Sequence, residues 1–182
     1  MRKIRVDGPK EDLTALKAGE SVLITGYVYT SRDAAHKRIF SLIKQGKPLP
    51  YEIAGAFIYY AGPTPERPGM AIGSCGPTTS GRMDPYAPSM YDMGLYATIG
   101  KGVRTKEVKE AIVRNGAVYF AALGGAGALC CECIKSCEVI GFNDLGCESV
   151  KRLYLEDFPA VVAIDATGAD LYEFGPKAYA AR

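Results

Sequence analysis

Three short stretches of this sequence set cations beside hydroxyls or glycines, a combination suited to holding a small anion. The first is Arg32-Asp33-Ala34-Ala35-His36. The second is Gly76-Pro77-Thr78-Thr79-Ser80-Gly81-Arg82-Met83-Asp84, and the third is Lys101, between Gly100 and Gly102. A guanidinium grips a carboxylate through two parallel hydrogen bonds, whereas an ammonium contributes a compact, movable charge. Three such groups converging suit a small dianion; without one, taking each charge out of water is costly. Each stretch also has a plainer reading. Arg32-Asp33 can open a helix, with Asp33 at the positive end of the dipole. Residues 76–81 can form an ordinary polar turn. Lys101 can be a solvated loop residue, and His36 a capping or core hydrogen-bonder.

The elements around these stretches set each of them just after a strand. In α/β proteins, ligands bind beyond the carboxyl ends of the strands. Residues 21–30 (SVLITGYVYT), rich in β-branched and aromatic side chains, read as a strand ending just before Arg32. A helix follows over 33–45, with Ile39, Leu42 and Ile43 at helical spacing and Gly46 and Pro48 closing it. Strands are expected at 56–61 and 70–75, the latter running into the Thr78 loop; a short helix is expected near 89–93. Residues 95–99 read as a strand that delivers Lys101. The alternation continues with a helix over 105–115, a strand over 118–122, a helix over 126–136 and a strand over 138–142. Beyond it, 150–156 and 160–165 read as two strands with no helix between them. Alternating strands and helices argue for a parallel sheet, while the tail and the N-terminal strands point to antiparallel pairing. The class is therefore α/β with a mixed sheet, expected to form one domain over residues 1–182.

Composition narrows the function classes. Hydrophobic residues make up 48% and charged residues 23%, with a net charge of +2 and no Trp. That balance belongs to a globular protein and gives no basic stripe for nucleic acid. No apolar signal core follows the N-terminus, and the uncharged run 116–131 is short and broken by glycines. No membrane association is expected, and a cytoplasmic location is. One histidine, His36, excludes a multi-histidine metal site within this chain. Six cysteines without an export signal read as reduced thiols. Cys130, Cys133 and Cys137 fall at i, i+3 and i+7 of the expected 126–136 helix, which reads as a buried stripe rather than a metal or redox site.

The motifs also carry a resemblance. GPTTSGRMDPYAP (76–88) and TSRDAAHKRI (30–39) resemble signatures of the C-terminal, or β, part of class I fumarases and L-tartrate dehydratases. IGKG (99–102), YFAALGGAGAL (119–129) and LEDFPAVVAIDATGADLY (155–172) are similar to the same family, so the likeness covers nearly the whole chain. It implies a swivelling β/β/α domain. It further implies a separate α subunit bearing a [4Fe–4S] cluster, with no cofactor bound by this chain, and an α2β2 assembly acting on a small dicarboxylate. Thr78 resembles the base that takes the C3 proton of malate. Arg32, Arg82 and Lys101 resemble carboxylate anchors, with Asp33, His36 and Asp84 as supporting residues. A threonine base must act as an alkoxide, whose formation nearby Arg82 and Lys101 would favour. Fumarate/malate is the first substrate expected, and tartrate/oxaloacetate the second. A dicarboxylate-binding module without chemistry and a thiol-based metal or redox protein are the competing readings.

Overall fold

Apolar strand residues that alternate between two buried faces need cover on both sides, and the chain supplies it by closing its one sheet on itself on one face and with helices on the other. A computed structural model describes residues 1–66 and 68–180. Its strands are β1 (Arg2–Arg5), β2 (Ser21–Thr30), β3 (Phe57–Tyr59), β4 (Ala97–Gly100), β5 (Val118–Ala121), β6 (Ile134–Gly141) and β7 (Val150–Ile164). The helices are α1 (Lys10–Thr14), α2 (Asp33–Lys44), α3 (Ala87–Asp92), α4 (Lys106–Asn115), α5 (Gly127–Glu132) and α6 (Leu171–Ala180). Short 3-10 turns occupy Ser80–Met83 and Asn143–Glu148.

The strands run in the order β1-β2-β3-β4-β5-β7-β6, and β7 pairs with β2 as well. Strands β1 to β5 are mutually parallel, whereas β7 runs antiparallel to β2, β5 and β6. Because Val161 of β7 lies opposite both Ser21 of β2 and Ala121 of β5, the strands β2-β3-β4-β5-β7 close into a ring. The fold is mixed α/β, as the sequence pattern indicates.

Alternation along the strands builds two cores. Phe57, Tyr59, Ile99, Val118, Phe120, Leu153, Leu155 and Phe158 point inward and pack with Val22, Ile24 and Val28. Ile58, Tyr60, Tyr119 and Ala163 point outward and meet Ala35 and Ile39 of α2, Met90 and Tyr91 of α3, and Val108, Ala111 and Ile112 of α4. Fully burying such a side chain stabilises the fold by about 1.5–3 kcal/mol. Helix α4 stops at Gly116, whose left-handed φ of 55° glycine adopts without a steric penalty. No helix among the described residues is long and apolar enough to cross a membrane.

Four expectations need correction. Residues 70–75 are not a strand: Gly73 and Ser74 pair instead with Thr64 (3.2 and 3.0 Å), and Cys75 N–H donates to Gly127 O, so none of these groups joins the sheet. The expected helix 126–136 ends at Glu132, because β7 recruits 134–141 as an antiparallel neighbour. Cys133 and Cys137 therefore leave the helix, although both still pack against the inner core. The N-terminal strand β1 pairs with β2 in parallel rather than antiparallel fashion. The two tail strands are one 15-residue strand, β7, which passes through a positive φ of 49° at Asp157.

Candidate active site

The parallel strands β2, β3, β4 and β5 end side by side, with Thr30 opposite Tyr59, Tyr59 opposite Ile99 and Gly100 opposite Ala121. Arg32 therefore emerges beside residues 60–62, and Lys101 beside residue 122. The loop 76–84 wedges between the ends of β3 and β4: Pro77 bridges to Ala61 and Thr79 to Lys101. Thr78 N–H donates to Tyr60 O at 2.7 Å, which fixes the threonine backbone at the mouth of β3. Its side chain is half-buried.

Charge then ties the loops together. Arg82, on the Ser80–Met83 turn, presents Nε to Asp33 Oδ1 and Nη2 to Asp33 Oδ2, both at 3.0 Å. The first is an aligned hydrogen bond; the second is an ion contact without that alignment, since Oδ2 counts no hydrogen-bond partner. Arg32 lies 4.0 Å from Asp33 Oδ2 through Nε and 3.5 Å from Glu148 Oε1 through Nη2. Its guanidinium runs over Gly62, where a Cβ would stand 2.3 Å from Nη1, so glycine is what makes room. Arg32 Nε is buried without a hydrogen-bond partner.

Lys101 is held by its backbone. Ser80 N–H donates to Lys101 O at 2.8 Å, and Lys101 N–H donates to Ser80 Oγ at 3.0 Å. The Tyr119 hydroxyl is 2.9 Å from both Ser80 Oγ and Gly102 O. Its one proton goes to the carbonyl, which can only accept, and the Ser80 hydroxyl supplies the other hydrogen bond. Tyr172 of α6 accepts the Gly102 N–H at 3.0 Å. The ammonium itself makes no ion pair among the described residues, and its stem rests near Gly124.

The remaining expected residues sit behind these loops. His36 is wholly buried, with Nδ1 2.9 Å from both Arg32 O and Ser31 Oγ. The Arg32 carbonyl requires a proton on Nδ1, leaving Nε2 bare against the rings of Tyr60 and Tyr86. Burial, assisted by the Arg104 cation, pushes its pKa down to about 4, so the imidazole is neutral at pH 7. Asp84 contacts none of the three expected anchors. Its Oδ1 accepts Arg104 Nε at 2.7 Å and its Oδ2 accepts Thr105 N–H at 2.8 Å, so it neutralises Arg104 and caps α4.

Sequence reasoning missed Arg104, Ser80 and Glu148. Arg104 is fully buried, faces the rings of Tyr60 and Tyr119, and donates to Thr98 Oγ1 at 3.2 Å. A faint signal existed, because an arginine directly before a helix N-terminus opposes the dipole and needs an acidic partner. Glu148 lies 116 positions after Arg32 and gave no local signal.

The family model for the fumarase C-terminus matches residues 1–175. The chain belongs to that family. Fumarate hydratase 2 of Leishmania major is 37% identical over 169 residues, covering 92% of this chain and 30% of the relative. The anaerobic class I fumarate hydratase of Escherichia coli is 38% identical over 152 residues, covering 82% and 28%. A Methanocaldococcus jannaschii chain provisionally named L(+)-tartrate dehydratase subunit beta is 36% identical over 170 residues, covering 90% and 87%. This chain thus spans less than a third of the length of these two fumarate hydratases.

Within this fumarase C-terminus chain, burial disfavours the thiolate form, in which cysteine binds an iron–sulfur cluster, at four of the six thiols. Burial raises Cys75 to about 12, with neighbouring Cys130, Cys137 and Cys131 adding to the shift. Burial likewise raises Cys130, Cys133 and Cys137. No group of three or more His, Cys, Asp or Glu among the described residues is arranged to hold a metal ion.

Proposed function

We propose that this chain is the β part of a hydro-lyase that reversibly dehydrates a C4 dicarboxylate, (S)-malate to fumarate. The observation that supports the reading is that Arg32, Thr78, Arg82 and Lys101 stand on loops at adjacent strand ends, in a chain whose family relatives include fumarate hydratases. Thr78, as alkoxide, removes the C3 proton; the electron pair forms the C2–C3 double bond as hydroxide leaves C2. Negative charge builds on the adjoining carboxylate during proton removal, and fixed cations stabilise that state more than the ground state. Arg82 and Arg32 supply oriented donors and Lys101 a movable charge, with Asp33 aligning Arg82 and His36 holding the Arg32 carbonyl. A [4Fe–4S] cluster on a partner α subunit would supply Lewis acidity toward the departing hydroxide. The chain forms one domain, works in the cytoplasm and assembles as α2β2.

Tartrate is the second substrate reading, favoured by the match over 87% of the M. jannaschii chain named as a subunit beta. Co-expression with a candidate α chain, followed by assays on fumarate, malate and tartrate, tests both readings. Thr78→Ala in that complex is expected to lower turnover by about 10²–10⁴-fold with the cluster spectrum unchanged. Turnover near wild type would remove Thr78 from the mechanism. Tight malate binding by this chain alone would instead support a binding module.

A further inference from the structure

Glu148 stands on the Asn143–Glu148 turn, remote in sequence from the motifs, yet its carboxylate does two things at the site. Oε2 accepts the Ala34 N–H at 2.9 Å, and Oε1 faces Arg32 Nη2 at 3.5 Å. Helix α2 has no side-chain cap of its own, so Glu148 serves as one from across the fold. From the geometry we infer that Glu148 is the positioning residue for Arg32, holding the guanidinium by one edge over Gly62 and leaving its other N–H groups for a ligand carboxylate.

The turn is built to keep that carboxylate in place. Arg38 of α2 donates to both oxygens of Asp144, at 2.6 and 2.8 Å. On the other side, the Lys151 ammonium donates into the turn, to Gly146 O at 3.1 Å and Ser149 Oγ at 2.6 Å. Lys151 makes no ion pair among the described residues; it is spent on clasping backbone. One end of the turn is thereby tied to α2 and the other to β7. The Arg32–Glu148 contact is an ion pair rather than an aligned hydrogen bond, and both side chains are mostly buried, at 17% and 21% exposure. A contact of that kind orients the fork while leaving its donors uncommitted.

The inference rests on the reading of Arg32 as a carboxylate anchor, and the test separates the two. In the complex with the α chain, Glu148→Gln keeps an oxygen for the Ala34 N–H and removes the charge facing Arg32. It is expected to raise KM for fumarate about tenfold while kcat stays within about twofold and the melting point holds. Glu148→Ala gives the same KM change together with a lower melting point, because the cap goes too. Arg32→Met serves as the control for the anchor itself. If Arg32→Met raises KM and Glu148→Gln does not, Glu148 has no positioning role. If Glu148→Gln shifts KM only in step with a fallen melting point, its role is merely structural and the inference falls. If Arg32→Met leaves KM unchanged, the anchor reading fails, and this inference with it.

Discussion

Arg32 and Lys101 are two cations of the proposed site, held in opposite ways. Arg32 is fixed at its tip, by Glu148 and Asp33, with Gly62 beneath it. Lys101 is fixed at its root, by Ser80, Tyr119 and Tyr172 acting on its own peptide and that of Gly102, while its ammonium stays unpaired among the described residues. The difference follows from the side chains. A planar fork is useful only when aimed, so carboxylates aim it; a spherical ammonium needs a fixed base and a free stem. The Arg32 side is therefore electrostatic and partly open to solvent. The Lys101 side is a neutral hydroxyl relay backed by the buried Asp84–Arg104 pair.

The largest effect should come from behind Lys101. Asp84→Asn leaves Arg104, wholly buried, without its counter-charge. Stability in urea should fall by about 3–5 kcal/mol; a small loss would mean that the buried pair does not brace the Lys101 side. Next comes the support under Arg32. His36 has its folded-state pKa lowered to about 4 from 6.5, so the unfolded chain binds the extra proton between those values. The stability it contributes is present above pH 6.5 and lost as pH falls to about 4, amounting to about 3 kcal/mol. His36→Asn should remove that slope, so its stability difference from wild type shrinks across this window; parallel pH curves would show that the imidazole titrates normally. A smaller change is expected for Tyr119→Phe, which breaks the hydroxyl relay at a cost of about 1–3 kcal/mol. Its KM should move for a dicarboxylate more than for a monocarboxylate if the relay places Lys101. Smallest is Tyr172→Phe, at about 1 kcal/mol, read most directly as faster hydrogen exchange at the Gly102 amide. Unchanged exchange there would remove α6 from the support of this loop.

The strands that matter most to the site were legible because their residues have few alternatives. Ser21–Thr30 is rich in β-branched and aromatic residues, and the shorter strands β3 to β5 are almost wholly apolar and buried on both faces, as parallel strands under two layers must be. Gly100, just before Lys101, answers to a close backbone approach: a Cβ there would collide with Ser80 Oγ. What could not be read depends on partners distant in sequence. Residues 134–137 continue a helical pattern locally, and only β7 converts them to strand. Residues 70–75 are apolar enough for a strand, yet their hydrogen bonds go to Thr64 and Gly127. Asp84 shares a motif with Arg82 but turns away to Arg104, and no spacing rule announces that. Glu148 meets α2 only after the whole sheet has assembled.

Ring closure by β7 also dictates the order in which this molecule can come into being on the ribosome. Strands β1 to β5 leave the exit tunnel first, and the inner faces of Val22, Phe57, Ile99 and Phe120 await Leu153, Leu155 and Phe158, which are translated later. Pairings of such long sequence separation form slowly, and until they form the nascent chain exposes an uncovered apolar sheet. Arg32, Thr78, Arg82 and Lys101 have all been synthesised by then, but their arrangement on neighbouring strand ends is a late product of translation.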